Sequence, residues 1–149
     1  MDGSNKFHKV LAAAVLGIVL PSCAGSGTNH MGRPASNSNS ASVVAIVDAQ
    51  LAAYNKRDVE AFLSFYSDDA RLFENTNQVV EAGKEQLRVR YQKSFLDKDV
   101  RAVILKRIVF DRFVIDHERL VGHPDGLIEA IAVYEVKGGK IVSVAFYSQ

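Results

Sequence analysis

The sequence predicts one α+β domain, a curved antiparallel sheet wrapped around three N-terminal helices, and three observations carry that prediction. Between residues 43 and 97 the apolar residues recur mainly at helical spacing. From Val100 to Tyr147 they come instead in four Val-, Ile- and aromatic-rich runs separated by turn residues. Phe7 is the only Phe, Tyr or Trp before residue 43, so a packed core can form only after that point. Helices first and antiparallel strands afterwards is the α+β pattern.

Each element has its own signal. Ser42 can cap a first helix in which Val43, Val47, Leu51 and Tyr54 form one apolar stripe. Asp58 can cap a short second helix with Ala61, Phe62, Phe65 and Tyr66 inward, closed by Ser67-Asp68-Asp69. Ala70 to Glu74 alternates and reads as a strand. Asn75-Thr76-Asn77 reads as a turn and Val79-Val80 as a short return strand. Gly83 opens a third helix, where Leu87, Tyr91 and Phe95 step by four. Four strands follow as a meander: Val100–Phe110, Phe113–Val121, Leu127–Val136 and Lys140–Tyr147. Asp111-Arg112, His123-Pro124-Asp125-Gly126 and Lys137-Gly138-Gly139 supply the turns between them. Gly138-Gly139 is followed by a strand and not a helix, so it is no phosphate loop.

The first forty-two residues differ in kind. They hold three basic residues and one acidic one, whereas the rest of the chain holds 15 basic and 16 acidic. A chain of 149 residues with net charge +1 gives no electrostatic reason to expect nucleic acid as a partner. Lys6 and Lys9 precede an unbroken apolar run of eleven, Val10 to Leu20. That is short of the ~20 residues a bilayer-spanning helix needs and has the length of a signal-peptide core. The only cysteine, Cys23, follows in Leu20-Pro21-Ser22-Cys23, which resembles the bacterial lipoprotein box. That resemblance implies a signal peptide over 1–22, lipidation of Cys23 and a lipid-anchored place in the cell envelope. The alternative is a plain secretory signal with an incidental Cys. Residues 23–42 are Gly-, Ser- and Asn-rich and read as a flexible tether. The domain proper is then 43–149.

From Val43 to Tyr147 the chain resembles the nuclear transport factor 2-like superfamily, which includes SnoaL-type polyketide cyclases and ketosteroid isomerases. The residues carrying the resemblance are Leu51-Ala52-Ala53-Tyr54-Asn55-Lys56-Arg57-Asp58, then Phe62 to Ala70, and the ending Tyr134-Glu135-Val136-Lys137-Gly138-Gly139-Lys140-Ile141-Val142. It implies a cone-shaped, cystatin-like α+β barrel with a ligand pocket inside, cofactor-independent chemistry, and homodimers formed through the outer sheet face. It specifies fold far better than activity, since the superfamily holds isomerases, dehydratases, cyclases and pure binders.

Candidate site residues follow from strand alternation and from the resemblance together. Leu72 should point into the cone, and Glu74, two residues on, the same way. Glu74 matches the carboxylate base of the isomerases, which is there an Asp, and Tyr91 matches a pocket tyrosine. Tyr134 should face inward with Ala130 and Ala132. On the strand after Arg112 one face carries Ile115, His117, Arg119 and Val121, and the other Val114, Asp116, Glu118 and Leu120. Ungapped comparison with the isomerases puts the His117 face in the cone. His117 would then be an acid or orienting group and Arg119 an anion anchor, with Asp116 and Glu118 outside. Gln50 stands where the isomerases carry an oxyanion-holding tyrosine, and Ala132 where they carry a protonated aspartic acid, a pairing familiar from ketosteroid isomerase. Losing one such donor costs about 3 kcal/mol of transition-state stabilisation, which argues against efficient steroid isomerisation. His117 and His123 are the only histidines after residue 42 and lack metal-ligand spacing. The expected function is therefore a small-molecule pocket protein for an apolar or aromatic ligand, acting as an isomerase or dehydratase through Glu74 and His117, with Gln50, Tyr91, Arg119 and Tyr134 shaping the pocket. The alternative is a non-catalytic binding or assembly module.

Overall fold

The computed structural model describes residues 36–75, 78–97 and 99–148. The expected signal peptide, Cys23 and the first part of the expected tether lie outside the described residues.

Helix α1 (Ser36–Lys56) begins six residues before the predicted cap. Ser42 sits inside it and its hydroxyl donates to the Asn39 carbonyl at 2.7 Å, a local bond that lets a serine persist in a helix. The inward face carries Val43, Val47, Gln50 and Ala53. Arg57, at φ 61°, ends the helix. Asp58 then caps α2 (Val59–Ser64), its carboxylate accepting from the Ala61 amide at 2.9 Å.

The second helix is shorter than its apolar stripe suggests. Tyr66, Ser67, Asp68 and Asp69 belong to β1 (Tyr66–Glu74), not to the end of the helix. The reason is tertiary: the Ile141 amide donates to the Phe65 carbonyl at 2.8 Å, and Tyr66 pairs with Ile141 on the last strand. β2 (Val79–Ala82) returns against β1, and Gly83, at φ 90°, leads into α3 (Lys84–Ser94), whose Leu87 and Tyr91 are buried. β3 (Arg101–Phe110), β4 (Phe113–Val121), β5 (Ile128–Lys137) and β6 (Lys140–Ser148) form the expected meander.

The sheet order is β2-β1-β6-β5-β4-β3. β1 runs parallel to β6 and every other neighbouring pair is antiparallel, so the sheet is mixed and not wholly antiparallel as expected. It is also not closed, since β2 and β3 are its two edges. Strand periodicity reports faces and not partners, so the crossover that lays β1 along the outside of β6 has no local signal.

The helices lie on the concave side. Phe62 is the centre of their contact, with its ring centroid 4.3 Å from Tyr91, 5.1 Å from Tyr66 and 5.7 Å from Phe95. Tyr54 completes the cluster 5.3 Å from Phe95. Such tilted and edge-on pairs each add about 0.5–1.5 kcal/mol beyond simple burial. Beyond β4, Gly122 has φ +77° and passes so close to the Asp99 carbonyl that a Cβ would lie 2.3 Å from its oxygen. Only glycine fits there.

Candidate functional site

Between the helices and the concave face of the sheet lies a cavity of about 410 Å³. Gln50 and Tyr54 from α1, Tyr91 from α3, Glu118 from β4, Tyr134 from β5 and Phe146 from β6 line its interior. The more exposed Glu74, Arg90, Lys93, Asp97 and His123 form its rim.

The placement of β4 decides the site. Val114, Asp116 and Glu118 are buried, while Ile115, His117 and Arg119 are not. The expected assignment of the two faces is thus reversed: Asp116 and Glu118 point inward, and His117 and Arg119 point out. On the convex side the His117 Nε2 lies 2.9 Å from Glu129 Oε2, and Arg119 donates to Glu129 Oε1 at 2.9 and 2.5 Å. The Arg119 hydrogen bonds, and then the His117 one, hold the Glu129 carboxyl below its usual range. His117 and Glu74 therefore share no cavity, and the expected dyad does not form.

Two charged residues can face inward because each is dealt with separately. Asp116, 1% exposed, takes a bidentate bond from Arg107 of β3, Nε to Oδ1 at 2.6 Å and Nη2 to Oδ2 at 2.7 Å. Arg107 also donates to Asp48 of α1 at 2.5 Å. Glu118, 6% exposed, has no hydrogen-bond partner among the described residues. Desolvation, and then the Asp116 charge on the same face, push its carboxyl up to about 7. Near neutral pH it therefore exists in both acid and base forms.

The surrounding hydroxyls stay neutral. Burial pushes Tyr66, Tyr91 and Tyr134 well above the usual phenol range. Gln50 is 4% exposed, and its Nε2 donates to the Tyr66 hydroxyl at 3.2 Å. Its Oε1 is buried and meets no partner among the described residues.

Glu74 does line the cavity, on the same strand face as buried Leu72. It is ion-paired with Arg90 of α3, whose other nitrogen lies 3.8 Å from Glu81. Gln50, Glu74, Tyr91 and Tyr134 are thus brought together, and His117 and Arg119 are excluded. Among the described residues no three His, Cys, Asp or Glu side chains gather as a metal-ligand set.

Alternation alone could not identify Glu118, because both faces of β4 carry charges. One signal was available. A tight turn at Asp111-Arg112 sets Arg107 directly opposite Asp116, and such a pair can neutralise its own charge in a core. That pairing marks the Asp116 and Glu118 face as the one able to be buried.

Comparison with known proteins agrees with this architecture. A model of the SnoaL-like domain matches residues 47–144. No curated protein matches the sequence significantly. A solved, uncharacterised cystatin-fold protein from Novosphingobium aromaticivorans is 28% identical, with TM-score 0.63 over 70% of this chain and 96% of that one. A proposed ketosteroid isomerase from Kribbella flavida is 14% identical at TM-score 0.66, over 74% of this chain and 80% of that one. A proposed polyketide cyclase from Xanthomonas campestris is 20% identical at TM-score 0.59, over 74% and 93%. At those last two identities the likeness is one of fold alone. With the match extending from α1 into β6, the chain belongs to the SnoaL-like domain family.

Proposed function

We propose that this domain takes a small, largely apolar or aromatic molecule into the cone and moves a proton on it without a cofactor, as an isomerase or lyase of steroid delta-isomerase-like type. The observation that carries this is Glu118, a buried carboxyl with no hydrogen-bond partner among the described residues, lining a cavity large enough for a ligand. As a carboxylate it can take a proton from carbon next to a carbonyl, and as the acid it can return that proton elsewhere. The neutral hydroxyls of Tyr91 and Tyr134 line the same cavity and are donors for the charge that develops on the carbonyl oxygen. Glu74, held by Arg90, helps to close the rim.

A 3-oxo-Δ5-steroid is the probe. Glu118→Gln should slow its isomerisation by about 10²-fold or more, the range for losing a general base, while Glu74→Gln should change it by less than about tenfold. Equal rates in wild type and Glu118→Gln would remove Glu118 as the base. A second reading, a binding or assembly module, is favoured by the exclusion of His117 from the cavity, which leaves one free carboxyl where a pair was expected. A small molecule retained in native mass spectrometry without turnover would select it.

Attachment to the bacterial envelope through Cys23 belongs to the same proposal, as does pairing of two copies across the convex sheet face. That face carries His117, Ile131 and Tyr147 in one cross-strand row, with Ile131 and Tyr147 exposed. Light scattering of the mature protein should give a dimer, and a monomer would reject the pairing.

A further inference from the structure

We infer that the ligand of this cavity presents a hydrogen-bond donor, a hydroxyl or an N–H group, to Gln50 Oε1, so that the substrate class is alcohols, phenols or amines on an apolar frame. This rests on the ligand-pocket proposal above and adds the polarity of the ligand's buried end. Gln50 lies on the inward face of α1, between Val47 and Ala53, and is 4% exposed. Its Nε2 is already committed to the Tyr66 hydroxyl, which fixes the amide plane and turns Oε1 away from that contact. Oε1 has no hydrogen-bond partner among the described residues, although Tyr91 and Tyr134 line the same cavity. A buried carbonyl oxygen left unpaired costs free energy that a ligand donor recovers on binding.

The isomerase resemblance puts a donor at this position, to hold a ligand oxygen. Gln50 reverses that polarity by offering an acceptor. Leu51, Ala102, Leu120 and Phe146 add apolar lining to the cavity that suits a ring or chain. Glu118 in its acid form supplies a donor in the same cavity, so a ligand carrying both a hydroxyl and a carbonyl satisfies both.

Two matched probes test this, 2-naphthol and its methyl ether, titrated calorimetrically into the folded protein at pH 6. The ether is the more apolar of the two, so a pocket without a free acceptor would rank it first. The expectation is that wild type binds 2-naphthol about tenfold tighter, the effect of one satisfied buried acceptor. In Gln50→Leu that preference should fall to near unity. Equal or tighter binding of the ether to wild type overturns the inference, because the amide would then be presenting Nε2 to the cavity. A preference for 2-naphthol that survives in Gln50→Leu also overturns it, since another acceptor would be responsible. Should Gln50→Leu fail to fold by circular dichroism, the wild-type pair decides alone. Binding of both probes without preference sinks the donor requirement and leaves the pocket proposal standing. Binding of neither sinks both.

Discussion

Arg107→Ala is expected to cost the domain about 3–5 kcal/mol in urea denaturation, the range for stranding one partner of a buried ion pair. Asp116 is 1% exposed and its two carboxylate oxygens are both occupied by Arg107. Without the guanidinium, that carboxylate would sit beneath Glu118 and against the core with no counter-charge. Domains of this size have total stabilities of about 5–15 kcal/mol, so a large share of the fold is at stake. The double change Arg107→Met with Asp116→Leu should recover most of the loss, because apolar side chains of similar volume often replace a buried pair without penalty. A single-variant loss below about 1 kcal/mol would mean that Asp116 is solvated, and the assignment of β4 faces would fall with it.

Glu118→Gln should be progressively stabilised relative to wild type as pH rises from about 4 to 8, by about 3 kcal/mol in all. Burial raises the carboxyl to about 7 in the folded protein, from an ordinary value of 4.5. Between those values the folded state binds more protons than the unfolded state. Wild-type stability contributed by this group is therefore complete below pH 4.5, falls as pH rises, and is gone above about 7. Glutamine has no proton to lose, so the difference between the two proteins isolates this one group. A difference independent of pH would show that Glu118 ionises in water. The same group is the one proposed to move protons, so the variant that gains stability at pH 8 should be the one that loses activity, as strained functional residues often do.

Much of the fold was legible because its causes are local. The Gly83, Asp111-Arg112 and Gly138-Gly139 breaks lie where the structure has them, and Leu87, Tyr91 and Phe95 are buried as their spacing requires. The failures share one cause. Phe65 and Tyr66 continue the apolar stripe of α2, yet pairing with β6 takes Tyr66 into a strand. Likewise, a short strand with charges on both faces has no preferred side until something neutralises one set. Arg107, nine positions earlier on β3, did so for Asp116, and Glu118 was carried inward with it.

Sequence by itself determined that this protein has an α+β domain after a first stretch of different composition, and that its helices and meander fall in this order. Periodicity, caps and turn residues are properties of neighbouring residues, so they can be read along the chain. Only the tertiary structure decided that β1 runs parallel to β6, that His117 and Arg119 face out, and that Glu118 and Gln50 line one cavity, with Gln50 Oε1 unpartnered among the described residues. Those outcomes depend on where charge can be neutralised once the sheet curves over the helices, and on which groups no neighbour can reach.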